Sequence, residues 1–177
     1  ETVYMPYEDR NTLCVSSQVG CKMGCKFCAS TKATFVRSLK AEEILSEIYV
    51  VEKDTNRNIN NIVIMGIGEP LDNYDEVIRF IKLATSVNGK NMSERNITLS
   101  TCGIVPKIYD LANEGLSINL AISLHATSDE KRKKTMPIAN SYTINEILKA
   151  CKFYFEKTGR RVSFEYVLIE GVNDTEG

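Results

Sequence analysis

The stretch GCKMGCKFCAS, Gly20–Ser30, carries Cys21, Cys25 and Cys28, three of the chain's six cysteines, at the spacing C-x3-C-x2-C, with no fourth close behind. It follows TLCVSSQV (Thr12–Val19), a β-branched run that reads as a strand. A cluster of thiols on a loop leaving a strand is a ligand set rather than a disulfide framework, because bridged domains distribute their cysteines along the chain. The rest of the fold is read outward from this strand and loop.

Further β-branched runs follow at NIVIMGI (Asn61–Ile67), NITLST (Asn96–Thr101), SINLAISLHA (Ser117–Ala126) and RVSFEYVLIE (Arg161–Glu170). The segments between them are long enough for helical crossovers between parallel strands. Before the last of these helices, Thr143 with Glu146 forms a capping box. Ile144, Ile147, Leu148, Cys151 and Phe155 make an apolar stripe, and Gly159 ends the helix. Another helix starts at Asn73 with Glu76 in the third position, and Pro106 suits a first turn. A helix with Glu42 and Glu43 in its first turn buries Ile44, Leu45 and Ile48.

The expected class is therefore α/β with about five β/α units, either an open doubly wound sheet or part of a barrel. In both, functional groups collect at the carboxyl ends of the strands. The cysteines, GIGEPLDN (Gly66–Asn73), Ser100 with Cys102, and His125 all fall there.

With 177 residues and 43% hydrophobic content, the chain is long enough for one domain with a substantial core. No apolar run approaches the roughly 20 residues that span a bilayer, and the charged first residues do not read as a secretory signal. The expectation is a cytoplasmic monomer without membrane contact. A net charge of −1 gives no global attraction to nucleic acid, so such contact must come from local patches. The candidates are KRKK (Lys131–Lys134), the lysines beside the cysteines, and GRR (Gly159–Arg161).

A structural zinc site wants four ligands in a closed tetrahedron, which Cys14 or His125 could complete. Ferredoxin-type clusters use four cysteines in C-x2-C spacings. Three thiols on one loop suit a [4Fe–4S] cluster whose fourth iron stays open to a small molecule. On the residues alone, Cys151 is a small core residue, Cys102 sits on the active rim, and Cys14 is either a core strand residue or a reactive thiol.

The loop Cys21, Cys25, Cys28, with Phe27 before its third cysteine, resembles that of the radical S-adenosylmethionine (SAM) enzymes. Together with LCVSSQVGC, MGIGEPLDN, ITLSTCGIVP, LAISLHA and MPIANSY it resembles the dual-specificity RNA adenine methyltransferases of that superfamily, over nearly the whole chain. The resemblance implies a partial (β/α) barrel holding a [4Fe–4S] cluster on Cys21, Cys25 and Cys28. It implies SAM contacts at Gly68, Glu69, Ser100, Ser123, Leu124 and His125, with the Glu69 carboxylate accepting from the SAM amino group. It implies methylation of adenine carbon-2 in large-subunit ribosomal RNA and certain tRNAs, with an electron donor such as flavodoxin. Pro70 favours carbon-2 over the carbon-8 chemistry of a sister group, which commonly has Ala there.

In such enzymes one SAM methylates a cysteine near the C-terminus and a second is cleaved reductively to draw hydrogen from that methyl. The resemblance gives Cys14 the resolution of a protein–RNA crosslink and Glu1 the removal of the adenine proton. Members of the family need no thiol at Cys102, which implies that this residue is buried and inert. It also implies that residues 1–177 are the core domain of a longer protein, with the sixth strand, the methyl-carrying cysteine and an N-terminal helical domain outside them. The rival class is a non-enzymatic iron–sulfur or zinc module.

Overall fold

The fold was analysed in a computed structural model that describes residues 1–174. The first half contains β1 (Val3–Pro6), β2 (Asn11–Cys14), β3 (Gln18–Val19), β4 (Arg37–Ser38), α1 (Ala41–Thr55), β5 (Asn61–Ile64) and α2 (Tyr74–Thr85). The second contains β6 (Ile97–Thr101), α3 (Val105–Ala112), β7 (Asn119–Ser123), α4 (Asp129–Thr135), α5 (Ile144–Thr158) and β8 (Val162–Glu165).

Among the described residues, β2, β5, β6, β7 and β8 form one sheet in that order, each parallel to the next, and β1 adds antiparallel to β2. Strand order follows chain order, as in a barrel wall; a doubly wound sheet reverses at a switch point. This decides between the two architectures that the sequence leaves open.

The register places Leu13 beside Ile62, Ile62 beside Ile97, and Leu99 beside Leu120. These side chains share the face covered by helices. There they meet Ile44 and Ile48 of α1, Phe80 and Ile81 of α2, Ile108 and Leu111 of α3, and Ile147 and Tyr154 of α5, all buried. Each such burial stabilises by about 1.5–3 kcal/mol. Period-two alternation turns Ser100, Ser123 and Glu165 to the other face.

Four local expectations change. The run Thr12–Val19 is not one strand: after Cys14 the chain leaves the sheet, and Ser17 N–H (2.9 Å) and Gln18 N–H (3.1 Å) both donate to Ile67 O. Gln18–Val19 then pairs with Arg37–Ser38, so a small two-stranded sheet closes the base of the cysteine loop. Asn73 precedes α2, but its side chain donates to Ser17 O (2.9 Å) and Leu39 O (2.7 Å) instead of capping. Glu76 caps α1, accepting from Ala41 N–H at 2.7 Å.

On α5 the capping box and the left-handed Gly159 (φ 64°) stand as expected, yet the buried stripe is Ile147, Ala150, Cys151 and Tyr154. Tyr154 fixes that rotation by donating its hydroxyl to Ile118 O (2.9 Å), which leaves Leu148 and Phe155 exposed.

Candidate active site

The carboxyl ends of β5, β6 and β7 and the cysteine loop enclose one cleft. Cys21, Cys25, Cys28, Gly68, Glu69, Ser100, Ser123 and His125 all line it. Residues far apart in sequence thus converge as the strand-end rule requires.

The loop is held at both ends. Lys26 N–H donates to Thr135 O at 2.8 Å, and the Thr31 hydroxyl donates to Cys25 O at 2.7 Å. Burial pushes the Cys25 thiol up to about 11, reinforced by Cys21 and Cys28 nearby, and burial raises Cys21 as well. Metal ligation requires thiolates, so loading the site would release the protons of Cys21 and Cys25. Among the described residues, no three His, Cys, Asp or Glu side chains close on a point that one metal ion could occupy. A tetrahedral zinc needs its sulfurs within about 2.3 Å of one centre. A [4Fe–4S] cluster takes one thiolate per iron, and the three thiols that line this one cleft suit it.

Glu69 is 4% exposed, and burial raises its pKa. Its Oε1 accepts from Leu71 N–H (3.0 Å) and the Thr101 hydroxyl (2.6 Å), and its Oε2 accepts from Cys102 N–H (2.8 Å). Through these bonds Glu69 ties the GIGEP turn to the end of β6, and the Cys102 thiol beside it bonds the same carboxylate.

Gly68 lines the cleft at φ +106°. A Cβ there would lie 2.6–2.8 Å from Gln18 Cβ, Cγ and N, so the glycine admits Gln18 rather than a ligand on that side. Gln18 in turn accepts from Glu69 N–H (3.0 Å) and donates to Asp72 (2.8 Å).

Ser100 and Ser123 each donate to Glu165 Oε2 at 2.9 Å, with their hydroxyl oxygens 3.5 Å apart. Sequence reasoning does not reach Glu165; a carboxylate inside an expected parallel strand is the signal that could have found it. His125, with φ 54°, accepts from Val167 N–H through Nδ1 (3.0 Å), and its ring meets Phe27 edge-on with centroids 4.7 Å apart.

Leu124 does not line the cleft. Its side chain packs against the core, and its backbone N–H donates to Glu165 O at 3.2 Å, because alternation turns it away from Ser123 and His125. Cys102 is buried as expected, and its thiol is pushed well up by burial, but it is part of the cleft wall.

Glu1 and Cys14 lie together at the carboxyl end of β2, outside the residues that line the cleft. The Ser16 hydroxyl donates to Glu1 O, and the Thr2 hydroxyl donates to Cys14 O. Burial raises the Cys14 thiol. Glu47, another carboxylate that the sequence does not single out, accepts from Ser16 N–H (3.3 Å), and burial raises it.

The KRKK run divides. Lys133 and Lys134 are exposed, whereas Arg132 is fully buried behind the rim. A larger open depression between α5 and β8, lined by Leu148, Phe155 and Phe164 among others, contains none of the predicted cluster or SAM residues but takes in the GRR run, Gly159–Arg161.

The family model described as the radical SAM superfamily matches residues 15–176, nearly all of the chain and every residue of the cleft. The chain belongs to the radical SAM superfamily. Its cofactors are a [4Fe–4S] cluster and SAM, and the three-thiol cleft at the strand ends fits the first of these.

Within the superfamily the chain is 60% identical over 175 residues to the "probable dual-specificity RNA methyltransferase RlmN" of Finegoldia magna. That match covers 99% of this chain and 50% of the relative. The protein of the same name from Lachnoclostridium phytofermentans is 57% identical, with 49% of its length covered. The crystal structure of a radical SAM methyltransferase from Sphaerobacter thermophilus superposes with a TM-score of 0.94 at 44% identity, covering 99% of this chain and 52% of that one. The chain spans about half the length of the curated relatives it matches. No helix among the described residues is long and apolar enough to cross a membrane.

Proposed function

We propose that residues 1–177 form the cluster- and SAM-binding core of a radical SAM RNA methyltransferase that modifies adenine carbon-2 in large-subunit ribosomal RNA and in tRNA. The observation that carries this reading is the convergence of three thiols with three strand-end motifs on one cleft, in a chain 60% identical to a probable RNA methyltransferase. The chemistry that a cluster and SAM supply together is reductive cleavage of SAM to a carbon-centred radical.

The chain's own residues have separable tasks. Cys21, Cys25 and Cys28 hold the cluster. Ser100, Ser123 and Glu165 offer SAM an acceptor flanked by two hydroxyls, and His125 offers Nε2–H. Glu69 contributes its carboxylate, while Gly68 and Leu124 contribute backbone groups only. In this reading Glu1 accepts the adenine proton and Cys14 resolves the crosslink; bonds from the Ser16 and Thr2 hydroxyls to their carbonyls hold the two segments side by side. RNA phosphates meet the exposed Lys26 and Lys32 of the loop and Lys133 and Lys134 of α4. A monomeric cytoplasmic enzyme with a flavodoxin-type donor completes the proposal.

The test is anaerobic reconstitution with iron and sulfide. About four irons per chain, visible iron–sulfur absorbance and release of deoxyadenosine from SAM on reduction are expected. Cys25→Ala should lose the absorbance and Cys151→Ala should keep it. Full iron and sulfide in Cys25→Ala, or zinc in place of iron in the parent, would overturn the reading. Analysis of the adenine methylated by the full-length protein separates carbon-2 from carbon-8.

A further inference from the structure

The sequence DEKRKKT of α4 reads as a solvated basic face, but one of its cations points inward. Arg132 is 0% exposed. Its Nε donates to Leu124 O (3.1 Å), and its Nη2 donates to Cys102 O (2.6 Å) and Ser123 O (3.3 Å). The guanidinium therefore joins the carboxyl ends of β6 and β7 at the rim of the cleft. Its Nη1 is buried and has no hydrogen-bond partner among the described residues.

Every acceptor it uses is a neutral carbonyl, and no ion pair of Arg132 occurs among the described residues. Asp129, the acid of its own helix that acts on it electrostatically, accepts from Ile144 N–H at 2.8 Å. A buried cation served only by carbonyls is strongly unfavourable unless an anion shares its site.

The cysteine loop is where that anion belongs. Lys26 N–H ties the loop to Thr135 O, at the end of the helix that carries Arg132. The carbonyls that take Nη2 belong to Cys102 and Ser123, which line the same cleft as the three thiols.

We propose that Arg132 is the built-in counter-cation of the cluster held by Cys21, Cys25 and Cys28, and that it raises the cluster's reduction potential. The proposal rests on the cluster reading above. Three thiolates on a [4Fe–4S]2+ core leave a net charge of about −1, and one electron from a low-potential donor makes it about −2. A fixed cation in a site shielded from water favours the more negative state. The carbonyl clasp holds the guanidinium there without neutralising it.

The experiment is potentiometric titration of the reconstituted protein, followed by the electron paramagnetic resonance signal of the reduced cluster. Arg132→Gln should load iron and sulfide but hold at least tenfold less reduced cluster at a given ambient potential, a shift of 59 mV for a one-electron couple. Arg132→Lys, which keeps the charge and loses the fork, should stay within threefold of the parent. An unchanged potential in a loaded Arg132→Gln protein overturns the proposal, as do equal shifts in both variants, which would mark Arg132 as a backbone clasp alone.

If Arg132→Gln does not fold, the unaltered protein decides. With arginine side chains labelled with nitrogen-15, cluster loading should shift or broaden the Arg132 guanidinium signal and leave the exposed Arg10 unmoved; an Arg132 signal unaffected by loading overturns the proposal. A parent that takes up no cluster overturns the reading of the site, and this proposal with it.

Discussion

His125 is a single residue whose protonation state is written into its contacts. Nδ1 accepts from Val167 N–H, so the neutral ring carries its proton on Nε2 and keeps that donor for the cleft. Burial lowers its pKa from 6.5, Glu165 opposes that shift and Arg132 adds to it. A group whose pKa is depressed on folding contributes stability that is present above its unfolded value and lost as pH falls through its folded value. The metal-free protein should therefore lose stability below about pH 6.5, and His125→Asn, which can offer an oxygen to Val167, should flatten that part of the curve. Urea unfolding at several pH values checks this; parallel curves for parent and variant would refute it. At the same scale, the Glu69 carboxylate accepts from Leu71 N–H, the Thr101 hydroxyl and Cys102 N–H, partners that the sequence alone does not name.

Elements position these residues, and Gln18 is where three of them meet. Its side chain joins the GIGEP turn, the turn before α2 and, through Ser38 Oγ (3.2 Å), the two-stranded sheet at the base of the cysteine loop. Gln18→Ala leaves the N–H of buried Glu69 without that acceptor, at a cost of about 1–3 kcal/mol. Denaturant unfolding of the metal-free protein should show the loss, and the loop, freed from its base, should release iron to a chelator faster than in the parent. Stability and iron retention equal to the parent's would show that the loop is held elsewhere. The ends of α5 follow local rules through Thr143, Glu146 and Gly159, whereas Asn73 turns its side chain away from α2 to Ser17 O and Leu39 O. The rotation of α5 does not follow local rules, because the Tyr154 hydroxyl and its partner Ile118 O lie 36 residues apart.

Across the whole molecule, a net charge of −1 conceals an uneven distribution. Residues 20–40 contain Lys22, Lys26, Lys32, Arg37 and Lys40 and no acid, and α4 sets Lys133 and Lys134 beside them. RNA binding by the full-length protein should therefore weaken with salt, and Lys26→Gln with Lys134→Gln should reduce the slope of log affinity against log salt by roughly 1 for each phosphate no longer neutralised. An unchanged slope would move the RNA surface off this rim. What the sequence determined by itself was local or periodic: five strands from their β-branched runs, the capping box and terminator of α5, and a three-thiol loop after a strand, since such signals lie within a few residues of one another. Tertiary structure alone decided the consecutive strand order, the burial of Arg132 within a run of exposed lysines, and the pairing of Ser100 and Ser123 with Glu165, 65 and 42 residues away. Those outcomes depend on which backbone and side-chain groups meet across strands, and no spacing along the chain encodes that.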